Sequence, residues 1–209
     1  MNESDTGNKS GKSGKWFGKR DLIEWTVILA VGVVLYTTGW HTEVLGRLQQ
    51  AVLWTGLIQP DTELAEAEHR SVSMDMDLLT LDGGEPVNLS EFRGRVIFLN
   101  YWATWCPPCI AEMPNIQSLY ERYRDNSGIA FVMVSTDEEI EKAEAYLERK
   151  GYTFPVYRLA APRPRDLRST VLPTTFVISK SGEVVVKKRG MANYNTRDFR
   201  QLLNQLIAR

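Results

Sequence analysis

Two cysteines, and only two, occur in the 209 residues, and both fall in one run, Trp105-Cys106-Pro107-Pro108-Cys109. Any disulfide within the chain must therefore join Cys106 to Cys109. A bridge that staples a fold stabilises most when it closes a long loop. This one closes a very short loop, so its use is chemical: a C-x-x-C pair opens and closes as a redox couple through thiolate attack on a disulfide. Zinc needs more ligands than the pair supplies, and the two histidines, His41 and His69, lie in other segments. Neither a metal nor a cofactor is expected.

The residues around the pair set what it can do. The apolar run Val96–Trp102 leads into it and a helical stretch follows from Pro108. Cys106 is thus placed at a strand-to-helix junction, where unsatisfied N–H groups and the positive end of the helix dipole lower a thiol pKa. Cys106 is the candidate nucleophile, and Cys109, one turn on and more buried, the resolving thiol. Pro107 and Pro108 remove two of the N–H groups beside that thiolate. A less stabilised thiolate makes the dithiol a stronger reductant. Glu112, three residues beyond Cys109, shares its helical face and could take the Cys109 proton during resolution. The competing reading is a glutamate that only complements the helix dipole.

These residues need a frame. Met76–Leu81 and Val87–Leu89 flank the turn Asp82-Gly83-Gly84, a hairpin signal, and Leu89–Phe92 suggests a short helical turn. Val96–Trp102 and Ile129–Val134 are continuous apolar runs, as in strands covered on both faces. Pro114 falls inside the helix that ends at Tyr123, and a kink is expected there. Asp137 is a plausible N-cap for a helix over 138–150 that stops at Gly151. A short strand over Phe154–Tyr157 leads into an Arg/Pro loop. Thr174–Ile178 and Val184–Lys188 flank a second hairpin turn, and Thr196 caps a last helix through Ile207. The order predicts an α/β sandwich with mixed parallel and antiparallel strands.

The first 71 residues read differently. Residues 1–21 form a basic, Gly/Ser/Asn-rich tail that is too polar to bury a core and is expected to be disordered in the cytoplasm. Residues 22–42 contain the uncharged run WTVILAVGVVLYTTGWHT, near the short limit of what spans a bilayer, with Trp25, Tyr36 and Trp40 at interfacial positions. The basic tail keeps the N-terminus inside and exports the rest. An uncleaved anchor is favoured over a cleaved signal peptide because the run is long and no A-x-A-like site follows it. Residues 43–71 combine an amphipathic helix over 43–59 with a charged linker. That helix either lies on the membrane or a partner, or docks on its own domain. Overall charge is balanced, 25 basic against 26 acidic residues, and leaves no nucleic-acid footprint.

Trp102, Trp105, Cys106, Cys109 and Pro114, with Leu172-Pro173-Thr174-Thr175-Phe176 further on, resemble the pattern of the thioredoxin superfamily. More narrowly they resemble its membrane-anchored TlpA/ResA-like thiol–disulfide oxidoreductases, over roughly residues 72–209. The resemblance implies a thioredoxin-like sandwich, a mixed central sheet flanked by helices, preceded by one transmembrane helix. It implies that Leu172-Pro173 is the cis-proline loop, with Leu172, Pro173 and Trp105 forming the substrate-binding surface. Thioredoxins proper carry a buried Asp six residues before the first cysteine; here that position is Asn100, which cannot titrate. Glu112 matches the glutamate of the TlpA/ResA-like members. The implied activity is reduction of protein disulfides outside the cytoplasm, cytochrome c maturation included. An oxidising compartment then demands a membrane thiol-reducing partner that recharges the dithiol. Two alternatives stand beside it. One is a redox-gated binding module or chaperone without turnover. The other is a thiol peroxidase, against which Ala103 stands where peroxiredoxins have Thr. Arg158, Arg163, Arg165 and Arg168, opposed only by Asp166, are either a steering patch for acidic partners or a solvated loop.

Overall fold

The structure, a computed structural model, describes residues 19–37, 46, 49, 50, 53, 71–82 and 84–209. Two units emerge, Met1–Trp40 and His41–Arg209.

In the first unit a helix, α1, runs over Lys19–Thr37. Lys19, Arg20, Asp21 and Glu24 occupy its first turns, and apolar side chains from Ile23 to Val34 stand exposed around it. Among the described residues no helix is long and apolar enough to cross a membrane. The far end of the span expected over 22–42, residues 1–18 of the basic tail and most of the linker lie outside the described residues.

The second unit is built on one seven-stranded sheet. Its strands are β1 (Asp77–Thr80), β2 (Pro86–Asn88), β3 (Val96–Trp102), β4 (Ile129–Ser135), β5 (Val156–Leu159), β6 (Thr174–Ile178) and β7 (Val184–Arg189). They lie in the order β2-β1-β5-β4-β3-β6-β7. The central pairs β3–β4 and β4–β5 are parallel and the flanking pairs antiparallel, the mixed sheet that the element order predicts. Parallel neighbours need crossovers, and the helices α2 (Pro107–Tyr123) and α3 (Ile140–Lys150) supply them; α4 (Arg197–Ala208) closes the chain.

All seven residues of β3 and of β4 are buried, because both faces of the sheet are covered. The pleat sorts them. Val96, Phe98 and Trp102 join the core under the helices with Ile116, Leu119, Phe199 and Leu203. Ile97, Leu99 and Tyr101 join the opposite core with Met76, Leu89, Phe176 and Leu167. The alternation puts Asn100 on the helix-facing side, a polar residue among Phe98 and Trp102, which must find a partner there.

Two sequence expectations are corrected and a third gains detail. Asp137 does not cap α3: the N-cap is Glu139, without a side-chain hydrogen bond, and α3 begins at Ile140. The carboxylate of Asp137 is engaged elsewhere, as described below. The strand expected over Phe154–Tyr157 is instead β5, Val156–Leu159, because pairing to β1 carries it on to Leu159 opposite Leu78. The Arg/Pro loop holds a 3-10 turn, Arg165–Leu167, that drops Leu167 into the second core. The remaining caps hold as read. Gly151 ends α3 at φ +67°, and Thr196 Oγ1 accepts from Phe199 N–H at the start of α4.

Of the segment 43–59, the described residues Gly46, Gln49, Gln50 and Leu53 are helical. Leu53 is wholly buried, and a Cβ added at Gly46 would meet Ile110 Cγ2 of α2 at 2.9 Å. At these residues the segment packs against its own domain.

Candidate functional site

The turn between β3 and α2 is fixed from outside. Thr136, just past the end of β4, donates from N–H and Oγ1 to the carbonyl of Trp102, at 2.9 and 3.0 Å. Asp137 then accepts from Thr104, through its N–H at 3.1 Å and its hydroxyl at 2.7 Å, and from Ser135 Oγ at 2.8 Å. Five hydrogen bonds at the ends of the parallel strands β3 and β4 thus clamp the turn that delivers Cys106.

Cys106 is the N-cap of α2, with Pro107 and Pro108 as its first two helical residues. Proline suits these positions because their N–H groups have no partner within the helix. The first N–H left to the cap is that of Cys109, which donates to Cys106 Sγ at 3.3 Å. The two sulfurs are joined in a disulfide. Cys109 is fully buried and Cys106 4% exposed, so the sulfur open to attack belongs to Cys106.

Around that sulfur lies a groove of about 630 Å³, lined by Trp105, Cys106, Pro107, Pro108, Thr136, Arg163, Ser169, Thr170 and Leu172. Trp105 is 60% exposed, a large apolar surface at the mouth. The Leu172-Pro173 peptide is cis. Thr174 Oγ1 donates to Val171 O, and Gly190 N–H donates to Pro173 O, which hold the loop on either side. Leu172 lines the groove, and its N–H and C=O bond to none of the described residues. The sequence-predicted Trp105, Cys106 and Leu172 are thus brought together on one groove, while Cys109 lies buried behind Cys106 and the buried Pro173 is not among the lining residues.

Glu112 sits elsewhere: one turn of α2 beyond Cys109, fully buried. Its Oε1 accepts from Asn100 Nδ2 at 2.8 Å and its Oε2 from Ala192 N–H at 3.2 Å. Asn100 Nδ2 also donates to Thr175 Oγ1, two residues beyond Pro173. Burial pushes the Glu112 carboxyl up to about 8, against the pull of those two hydrogen bonds. A glutamate that complemented the helix dipole would lie in solvent at the first turn; this one does not. Tyr194, also fully buried, completes the cluster, and burial together with the nearby Glu112 charge pushes its hydroxyl well up. Ala192 and Tyr194 carry no motif, and sequence reasoning does not find them; Thr175 falls in the run 172–176 that carries the resemblance, but not with this role.

A thioredoxin-like sandwich with a cysteine pair at the N-terminus of its first crossover helix, facing a cis-proline loop, defines a dithiol–disulfide protein. A family model described as Redoxin matches residues 60–206. Among curated proteins, a thiol-disulfide oxidoreductase ResA of Geobacillus kaustophilus is 36% identical over 145 residues, spanning 69% of this chain and 82% of that protein. The ResA of Geobacillus thermodenitrificans is 34% identical over 170 residues, spanning 79% and 94%. Among solved structures, a thioredoxin family thiol:disulfide interchange protein from Chlorobium tepidum superposes with a TM-score of 0.57 at 27% identity, over 68% of this chain and 99% of that one. The chain belongs to the Redoxin family, as a TlpA/ResA-like thiol–disulfide oxidoreductase of the thioredoxin superfamily.

Proposed function

We propose that this protein is a membrane-anchored reductase of protein disulfides that works outside the cytoplasm. The observation that carries the reading is the pairing of a groove-facing Cys106 with a buried carboxyl, Glu112, whose pKa of about 8 lies beside that of an ordinary thiol.

The cycle balances as follows. In the reduced protein the Cys106 thiolate attacks a client disulfide; a Cys106–client bond forms, and the other client sulfur leaves as a thiolate and takes a proton. Cys109 then loses its proton to Glu112 and attacks Cys106 Sγ. The internal disulfide forms, the second client sulfur leaves, and two electrons have passed to the client. The oxidised protein is left with a protonated Glu112, the form its raised pKa favours. When a membrane thiol-reducing partner returns two electrons, that proton goes back to Cys109. A base matched in pKa to its thiol moves the proton in either direction with little driving force lost.

Asn100 fits this role better than a charged neighbour would. Its Nδ2 donates to a carboxylate, and its Oδ1, without a partner in this state, could accept from a carboxylic acid if the amide turned over. Arginine at that place would hold Glu112 ionised.

The N–H and C=O of Leu172, bonded to none of the described residues, supply what an extended client segment needs to pair beside the cysteines, with Trp105 covering its apolar side chains. The anchor reading draws on the apolar side chains that α1 exposes from Ile23 to Val34, surface that a bilayer would cover. The family resemblance points to apocytochrome c cysteines among the clients.

The test is capture. Cys109→Ser leaves the mixed disulfide unresolved, so full-length variant in native membranes should accumulate clients bound through Cys106. The wild-type dithiol should also reduce insulin. A dithiol that binds unfolded protein but reduces nothing, with no captured client, would overturn the reading in favour of a binding module.

A further inference from the structure

Four arginines approach the cis-proline loop, and three of them, Arg158, Arg165 and Arg168, are exposed, as a solvated loop would have them. Arg163 is different. Its guanidinium lies over the Tyr101 ring, 4.8 Å from the centroid, and Nη1 donates to Ser169 O at 3.3 Å. Arg168 Nε in turn donates to the carbonyl of Arg163, and Ser169 is held by its own turn to Val171. The side chain is pinned at both head and backbone.

Pinning a guanidinium on an aromatic face and one carbonyl leaves most of its five N–H donors unspent. Arg163 forms no ion pair among the described residues. Among the described residues it is also the only charged one that lines the groove around Cys106. An uncompensated, pre-oriented cation in the wall of a groove is a receptor for a carboxylate, because the planar fork meets two oxygens at once and little rotamer freedom is left to lose.

We propose that Arg163 is a specificity-determining residue: it engages an Asp or Glu side chain that flanks the disulfide of the client, and so selects clients with an acidic residue beside their cysteines. This rests on the reductase reading above. The contact is made outside the reacting sulfurs, so it favours capture of the client without altering the Cys106–Cys109 couple.

The experiment uses the full-length protein and two synthetic peptides, each closed by an intramolecular disulfide, identical except that one carries Glu and the other Gln next to a cysteine. Wild type should reduce the Glu peptide with about tenfold higher kcat/KM, the size of one charge-assisted contact, and the preference should shrink as salt rises. Arg163→Gln should abolish the preference by slowing reduction of the Glu peptide about tenfold, with its reduction potential within error of wild type. Arg163→Lys should retain part of the preference, and Arg165→Gln, on the exposed side of the loop, all of it. Equal rates on the two peptides for wild type, or an Arg163→Gln variant that slows both alike or shifts the potential, would overturn the inference and leave the reductase reading intact. A wild-type protein that reduces neither peptide overturns the reductase reading itself.

Discussion

The amide of Asn100 and the carboxyl of Glu112 meet at 2.8 Å inside the protein, joining the central strand β3 to the helix that carries both cysteines. The strand pleat points Asn100 at the helices, and the helical repeat places Glu112 one turn from Cys109. Neither side chain reaches solvent. A buried carboxyl costs several kcal/mol to keep ionised even with two hydrogen bonds, and the protein keeps it at a position where a hydrophobic residue would pack more cheaply. That cost has a use if the group carries a proton.

Glu112→Gln tests this directly. Glutamine fills the same volume and can accept from Asn100 or Ala192, but it cannot take a proton. Loss of a general base slows a step by a factor of about 10² to 10⁴. Resolution of the mixed disulfide should therefore slow at least a hundredfold in stopped-flow measurements with a model client, while attack by Cys106 is unchanged. An unchanged resolution rate across pH 6–9 would show that Cys109 loses its proton elsewhere.

The same carboxyl should mark the stability curve of the oxidised protein. With its pKa raised from 4.5 to about 8, the folded state binds a proton that the unfolded state has released between those values. Stability therefore falls as pH rises through this window, by at most about 1.4 kcal/mol per unit, and flattens above pH 8. Urea unfolding of the disulfide form at pH 5 to 9 measures the slope, and the difference between wild type and Glu112→Gln isolates it. A difference that grows in wild type's favour with pH would contradict the buried, proton-holding carboxyl.

Much of this site is legible in the sequence, for a physical reason: its parts are local. Cys106, Pro107, Pro108, Cys109 and Glu112 lie within seven residues, and strand and helix periods relate Asn100 to them. Leu172-Pro173 is recognisable through family resemblance. What stays hidden is long-range and has no pattern. Ala192 contributes only a backbone N–H and Tyr194 looks like an ordinary core residue, while Thr175 lies in the recognised run 172–176 without any sign that it meets Asn100. Arg163 differs from its three neighbours only in lying over Tyr101, 62 positions away along the chain. Asp137 is misread because its spacing from the helix suits a cap, while its partner Thr104 becomes a neighbour only when β3 and β4 pair.

That correction carries its own prediction. Asp137→Ala would leave the N–H and hydroxyl of Thr104 and the hydroxyl of Ser135 without their acceptor, and unpaired part-buried donors cost roughly 1–3 kcal/mol in all. A helix cap of α3 would cost about 1 kcal/mol and would leave the redox pair undisturbed. Loss of the clamp should instead loosen the Ala103–Trp105 turn. We expect lower stability together with faster amide exchange at Thr104 and a slower attack by Cys106. Loss of stability with exchange changes confined to the first turn of α3 would restore the cap.

The two prolines set the last expectation. Only the Cys109 N–H reaches Cys106 Sγ in the first turn of α2, because Pro107 and Pro108 offer none. Replacing both by alanine returns two donors to the end of the helix where the dipole is positive. The thiolate gains stabilisation and the disulfide does not, so the Cys106 pKa falls and the couple becomes more oxidising. One added hydrogen bond of about 1.4 kcal/mol corresponds to roughly 30 mV for a two-electron couple. Titration against glutathione should place the wild type below about −200 mV and the Pro107→Ala/Pro108→Ala variant tens of millivolts higher. Iodoacetamide alkylation against pH should show the matching drop in pKa. A wild-type couple above about −200 mV, or a variant that shifts the other way, would mean that something other than the missing N–H groups makes this dithiol a reductant.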